Sequence, residues 1–194
     1  MGKQMRIVYV AFTILCIPFI LAGCQATSKV SSAVDTYRIL QNKGEDQTAL
    51  LSCSASVACY FARVDDVAIL DEKTKKPTKA AIDHGLVRIK GSLFTSHHEY
   101  ALSLVPDRHE IMVWFHPVSQ DRAEQFHLIH TFKAGYQYTL SMYRQKSQGN
   151  GSLLQMATPG ELCVDLLENE LPSRRFCRTY NVLTGQGEFV EKQI

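Results

Sequence analysis

The sequence predicts a mainly β protein, an antiparallel β-sandwich of about seven or eight short strands that follows an N-terminal export segment and a linker. Three observations carry this expectation. Short runs alternate apolar and polar side chains, the pattern of a half-buried strand. Turn-forming clusters separate those runs at regular spacing, among them Pro106-Asp107-Arg108, Lys133-Ala134-Gly135 and Gln148-Gly149-Asn150-Gly151. No segment carries a convincing apolar stripe at helical spacing, which leaves a sandwich as the layer architecture able to bury the apolar faces. The expected divisions are an export segment over 1–23, a linker over 24–48 and the β-domain over 49–194.

Lys3 and Arg6 precede an apolar run over 7–21 that only Thr13 and Pro18 interrupt, and Leu21-Ala22-Gly23-Cys24 closes the run with small residues and a cysteine. A positive start, an apolar middle and a small-residue end are the parts of a cleaved export signal. These residues resemble the bacterial lipoprotein signal peptide, with Leu21-Ala22-Gly23-Cys24 as its lipobox. The resemblance implies acylation of the Cys24 thiol, cleavage after Gly23 and a chain held to a membrane by lipid. Because Gln25 rather than aspartate follows, it also implies the outer membrane, with the domain on the periplasmic side. The competing reading is an uncleaved anchor, but a spanning helix needs roughly 20 apolar residues, and this run is shorter and carries Pro18. A single acyl chain gives marginal residence at about 0.8 kcal/mol per buried methylene, whereas two or three chains make detachment negligible.

Cleavage would remove Lys3 and Arg6 from the 21 basic residues, leaving 19 against 19 acidic ones. A neutral chain has no whole-protein attraction to nucleic acid or to an anionic membrane surface, so lipid does the attaching and nucleic acid is not an expected partner. Beyond Cys16 in the signal and Cys24 at the anchor, Cys53, Cys59, Cys163 and Cys177 form an even set, as expected where export exposes thiols to oxidation. Closeness in sequence favours Cys53 with Cys59 and Cys163 with Cys177, closing loops worth about 2.4 and about 3 kcal/mol. Zinc is the alternative, although neither spacing resembles the paired two-residue gaps of structural zinc sites. Left reduced, Cys59 or Cys177 beside a histidine would be a nucleophile, an option that oxidation removes.

In chain order, residues 25–48 are polar and small at first, then carry Val34, Tyr37, Ile39 and Leu40, and read as a spacer with a helical turn or two. Residues 57–70 read as strand, with Val57, Cys59, Phe61 and Arg63 on one parity and Asp65-Asp66 as the break. The lysine-rich stretch 71–79 reads as a solvated loop rather than a phosphate or headgroup patch. Strands follow over 86–93 and 99–105. The most apolar strand, over 109–116, places Ile111, Val113 and Phe115 against Met112 and Trp114, which implies burial on both faces or a covered second face. Strands over 124–132 and 136–144, a hairpin turn at 148–151 into 153–156, and a final hairpin of 162–167 against 175–182 complete the domain, with Cys163 and Cys177 stapling that hairpin.

Pro106, His109 and the segment Phe132-Lys133-Ala134-Gly135-Tyr136-Gln137-Tyr138-Thr139-Leu140 also resemble small β-sandwich domains of bacterial lipoproteins, which carry a Pro-x-x-His turn, an apolar strand and a Phe-x-Ala-Gly-x-x-Tyr-x-Leu segment. Asp107 stands where that pattern has glycine. The resemblance brings no catalytic residues with it.

Few residues invite chemistry. His109 with His116, and His127 with His130, are odd numbers apart, so neither pair shares a strand face, and a metal would need ligands from several strands. His97-His98 read as solvated loop residues. Asp65-Asp66 is a turn rather than a catalytic pair, and Asn150-Gly151-Ser152 is turn chemistry rather than a glycosylation site. Tyr136 and Tyr138 share a parity and are expected in the core, with Tyr143 on the other. No metal, cofactor or catalytic residue is expected. The favoured function is a non-catalytic, lipid-anchored envelope protein whose β-domain binds another envelope component, through an edge strand or an apolar patch. The alternative is a binder of a small molecule, metal or glycan, or less favourably a hydrolase, with a cleft at one end of the sandwich.

Overall fold

The computed structural model describes residues 47–71, 73–90, 99–119, 122–145, 160–178 and 187–194, all within the unit Asn42–Ile194. The fold is mainly β, as expected: two sheets share one core, and eight of the strands have five residues or more. In chain order the strands are β1 Ala49–Cys53, β2 Cys59–Val64, β3 Val67–Ala68, β4 Val87–Lys90, β5 Glu99–Leu104, β6 Arg108–Ser119, β7 Arg122–Thr131, β8 Gln137–Arg144, β9 Leu162–Glu168, β10 Leu171–Arg178 and β11 Val190–Lys192. A seven-stranded sheet runs β11-β10-β9-β8-β1-β5-β4, and a four-stranded sheet runs β3-β2-β6-β7. One pairing departs from an all-antiparallel sandwich: β1 lies parallel to β8, with Leu51 beside Tyr138 and Cys53 beside Leu140. No hairpin can join a parallel pair, so the intervening strands pass through both sheets before the chain returns.

Alternation builds the core. Ile111, Val113 and Phe115 of β6 and Phe126 and Leu128 of β7 face Ala49 and Leu51, Leu102 and Leu104, Tyr138, Leu140 and Met142, and Leu162, Val164 and Leu166 of the other sheet, and all are buried. Each large aliphatic side chain taken from water in this way stabilises the fold by about 1.5–3 kcal/mol. In β2 the strict parity fails. A register shift between Phe61 and Arg63 lets Phe61 and Val64 both point inward although they are three residues apart, and it swings Arg63 out of the parity expected for it.

Turns sit where local chemistry places them. Asp65 (φ 49°) opens the β2–β3 turn, Gly135 (φ 73°) closes the approach to β8, and Asn169 (φ 49°) and Glu170 (φ 70°) form the two-residue β9–β10 turn, both at positive φ as a tight hairpin requires. Glu168 pairs with Leu171, so the final hairpin begins its second strand earlier than expected. Tyr138, fully buried, accepts a hydrogen bond at its hydroxyl from the Lys133 N–H at 3.1 Å, so the Phe132-to-Leu140 segment locks its own turn onto the core. Among the described residues one short helix, α1 Lys79–Asp83, follows the expected loop; Thr78 caps it by accepting from the Ala81 N–H at 3.1 Å while donating to the Ala68 carbonyl at 2.6 Å. Among the described residues no helix is long and apolar enough to cross a membrane.

Candidate functional site

The alternation that buries Ile111, Val113 and Phe115 turns Glu110, Met112, Trp114 and His116 to the opposite face of β6. β6 lies between β2 and β7, so that face acquires rows: Tyr60, Trp114 and Gln125 across the sheet, then Arg63, Met112 and His127, then Glu110 and Ile129. Trp114 is the chain's single tryptophan and is 39% exposed, and Ile129 is 48% exposed. Burial on both faces of β6 is therefore not what forms; the second face is open at Trp114 and only half-covered at Met112 and His116. Tyr60 stands edge-on to His116 with centroids 5.3 Å apart, and Lys75 Nζ lies 5.7 Å from the Tyr60 ring. Arg63 Nη2 donates to Glu110 Oε1 at 2.7 Å, His127 Nδ1 is 3.7 Å from the same oxygen, and His127 Nε2 is 2.6 Å from Gln125 Nε2.

Beside this face a second polar group forms at the β2–β3 turn. Asp65 Oδ1 accepts the Glu110 N–H at 2.9 Å, Asp65 Oδ2 lies 2.7 Å from His109 Nδ1, and His109 Nε2 lies 2.9 Å from the Val105 carbonyl. A carboxylate and a carbonyl only accept, so both His109 contacts are satisfied together only by a ring carrying protons on both nitrogens. Burial opposes the charge on Asp65, but the bonds from His109 and the Glu110 N–H outweigh it and hold the carboxyl below the usual aspartate value. The histidine of the Pro106-to-His109 turn thus reaches back past the proline and pins the link between the two sheets.

Directly opposite His109, in register on β7, is His130. Its ring stands edge-on to Phe132 (4.9 Å) and Tyr138 (5.4 Å), and its Nε2 is buried with no hydrogen-bond partner among the described residues. Burial pushes its pKa below the ordinary histidine value. Odd spacing separates the same-strand pairs as expected: His116 and His127 face outward while His109 and His130 face inward. Cross-strand register then unites His109 with His130, which spacing along one strand cannot reveal. With both His109 nitrogens already bonded, the pair is not arranged as a metal chelate.

The four domain cysteines pair as expected, Cys53 with Cys59 and Cys163 with Cys177, the latter directly across the β9–β10 ladder. Neither Cys59 nor Cys177 is therefore a thiolate. The one grouping of metal-ligand types among the described residues, Glu161 with Cys163 and Cys177, is held by sulfurs that are bonded to each other. Next to that bridge, Asp165 is only 7% exposed, receives both Nε and Nη2 of Arg175 at 2.7 Å, and lies 3.3 Å from the Tyr143 hydroxyl. This pair is structural, since each charge is neutralised within the sheet. Tyr138 is buried and Tyr136 packs against the core, as their shared parity implies. The export segment, the linker residues before 47, Cys24, His97-His98, the turn and strand expected over 148–156, Asn150-Gly151-Ser152 and the end of the strand expected to reach 182 lie outside the described residues.

No protein-family model, curated protein or solved structure matches this chain.

Proposed function

We propose that the protein is an envelope lipoprotein, acylated at Cys24, held in the outer membrane with its β-domain in the periplasm, and that the domain binds another envelope protein through the outer face of the four-stranded sheet. The observation that supports a binding role is Trp114: a lone tryptophan, exposed on an interior strand and flanked by Tyr60 and Met112. Tryptophan and tyrosine anchor protein interfaces because they exclude much water at little cost in side-chain freedom. The surrounding Arg63, Glu110, Gln125 and His127 would form the polar rim, already ordered by their mutual contacts.

A photo-crosslinking residue placed at 114 in intact cells tests this directly. A discrete crosslinked protein band, absent when the crosslinker stands at exposed Leu171 instead, supports the reading. The rim of planar hydrogen-bonding groups around the indole also fits a glycan, and a crosslinked species that collapses on digestion of the envelope polysaccharide would replace the protein-partner reading with that one. Fractionation tests the anchor separately: Cys24→Ser should leave the chain unprocessed or release it to the soluble exported fraction. A processed Cys24→Ser chain still in the membrane, or the unaltered protein in the inner membrane, would contradict the proposed anchor or its destination.

A further inference from the structure

We propose that His130 makes an acid-released clasp on the crossover between the two sheets, the segment that His109 ties to the β2–β3 turn. The two residues are register partners on β6 and β7, yet their hydrogen-bonding surroundings are opposite. His109, only 13% exposed at its side chain, lies between the Asp65 carboxylate and the Val105 carbonyl and bonds to both only when it carries both ring protons. Val105 belongs to the link between β5 of one sheet and β6 of the other, so this one ring ties that link to the Asp65 turn. Arg63 reinforces the same turn by donating to the Asp65 carbonyl at 2.7 Å and to Glu110.

His130 has the reverse surroundings. Phe132 and Tyr138 cage its ring, and no acceptor among the described residues waits for a proton on Nε2. A cation there would lose its hydration and feel Arg174 and Lys133. The compensating carboxylates, Glu168 and Glu191, are already engaged by Lys133 and Arg174. Tyr138 stays neutral, because burial raises its pKa. The Phe132 N–H donates to the Asp107 carbonyl at 2.9 Å, so displacement of the His130–Phe132 cluster pulls on the same crossover that His109 holds.

The sign follows from the depressed value at His130. Stability owed to its neutral form is complete above the ordinary value of 6.5 and is lost as pH falls below it, because the opened state then binds the proton more readily. Asp65 is still ionised across that window, so its bond to His109 is not lost there. The clasp depends neither on the anchor nor on a bound partner.

The test uses the full-length protein purified from the envelope in a non-ionic detergent, followed by NMR from about pH 7.5 to about pH 5.0. The His130 ring should titrate below 6.5, and amide protection at Phe132 should fall as it does, by up to about tenfold per pH unit, the limit for a single proton. His130→Phe keeps a ring in the cage and cannot be protonated, so its protection should not vary with pH. A His130 ring that titrates at or above 6.5 in the folded wild type, or equal acid loss of protection in wild type and His130→Phe, overturns the proposal. The wild-type titration decides the matter even if the variant does not fold.

Discussion

Arg174 of β10 donates from Nη1 to the carbonyl of Ile129 on β7 at 2.7 Å, which joins the rim of one sheet to the edge of the other. The same guanidinium grips Glu191 of β11 with two bonds of 2.7 Å and lies 4.7 Å from the Phe176 ring. Ile129 faces away from β6 in its hydrogen bonding, since the neighbouring positions make the ladder, so its carbonyl is one of the groups an edge strand offers to another chain. Arg178 adds a second bridge to β7 through Glu124 at 2.8 Å. One backbone acceptor on the edge strand of the four-stranded sheet is thus occupied from within the molecule.

Arg174→Ala should therefore cost about 1–2 kcal/mol, because its partners are part-exposed and such pairs are individually worth little. Its larger effect should be on self-association, since the Ile129 carbonyl is freed on a ten-residue strand. Sedimentation velocity should show a rise in dimer or higher species; an unchanged monomer would show that the arginine does not guard the edge.

Tyr138→Phe should destabilise the domain by about 1–3 kcal/mol. The ring still packs against Phe132 and His130, but the part-buried Lys133 N–H loses its acceptor. Urea unfolding checks this, with an unchanged slope and a lower midpoint expected. A midpoint equal to that of the wild type would mean that water replaces the hydroxyl at no cost.

Replacing Cys163 and Cys177 with serine should cost about 2–5 kcal/mol, and more than replacing Cys53 and Cys59, because the first bridge spans 14 positions and the second 6. Thiol titration of the unreduced, unfolded protein should find none of these four cysteines free. Equal losses from the two double mutants would show that native packing, rather than loop length, sets their value.

Asp65→Asn isolates a charge, since asparagine tolerates the same positive φ. The carboxyl is held below its ordinary value of 3.8, so its stabilisation is present above that pH and vanishes as pH falls through the lower folded value. The variant should be less stable than wild type by about 1 kcal/mol at neutral pH, and the gap should close in acid. A gap of the same size at pH 7 and at about pH 2 would mean that shape and not charge holds the turn.

Much of the architecture is legible along the chain because its causes are local. Alternation in β5 to β8 identifies strands and their buried faces, Asp65-Asp66 and Lys133-Ala134-Gly135 mark turns through their tolerance of positive φ, and the nearness of each cysteine pair in sequence identifies the bridges. Elements without such local signals escape notice. β1 does not alternate, since Ala49, Leu51 and Ser52 are all buried in the middle of the large sheet. α1 and β11, at five and three residues, are too short to show a period.

The sequence by itself determined the β class, the inward faces of the main strands and both disulfides, because these depend on periodicity, turn chemistry and nearness along the chain. Only the tertiary structure decided that β1 runs parallel to β8, that a bulge turns Arg63 outward to Glu110, that Trp114 lies open on an interior strand, and that His109 is in register with His130, with an acceptor at each nitrogen of one and none at the buried Nε2 of the other. Those relations are set by register and sheet order. Register and sheet order emerge from the sum of many weak contacts between strands far apart in sequence, and no single segment encodes them.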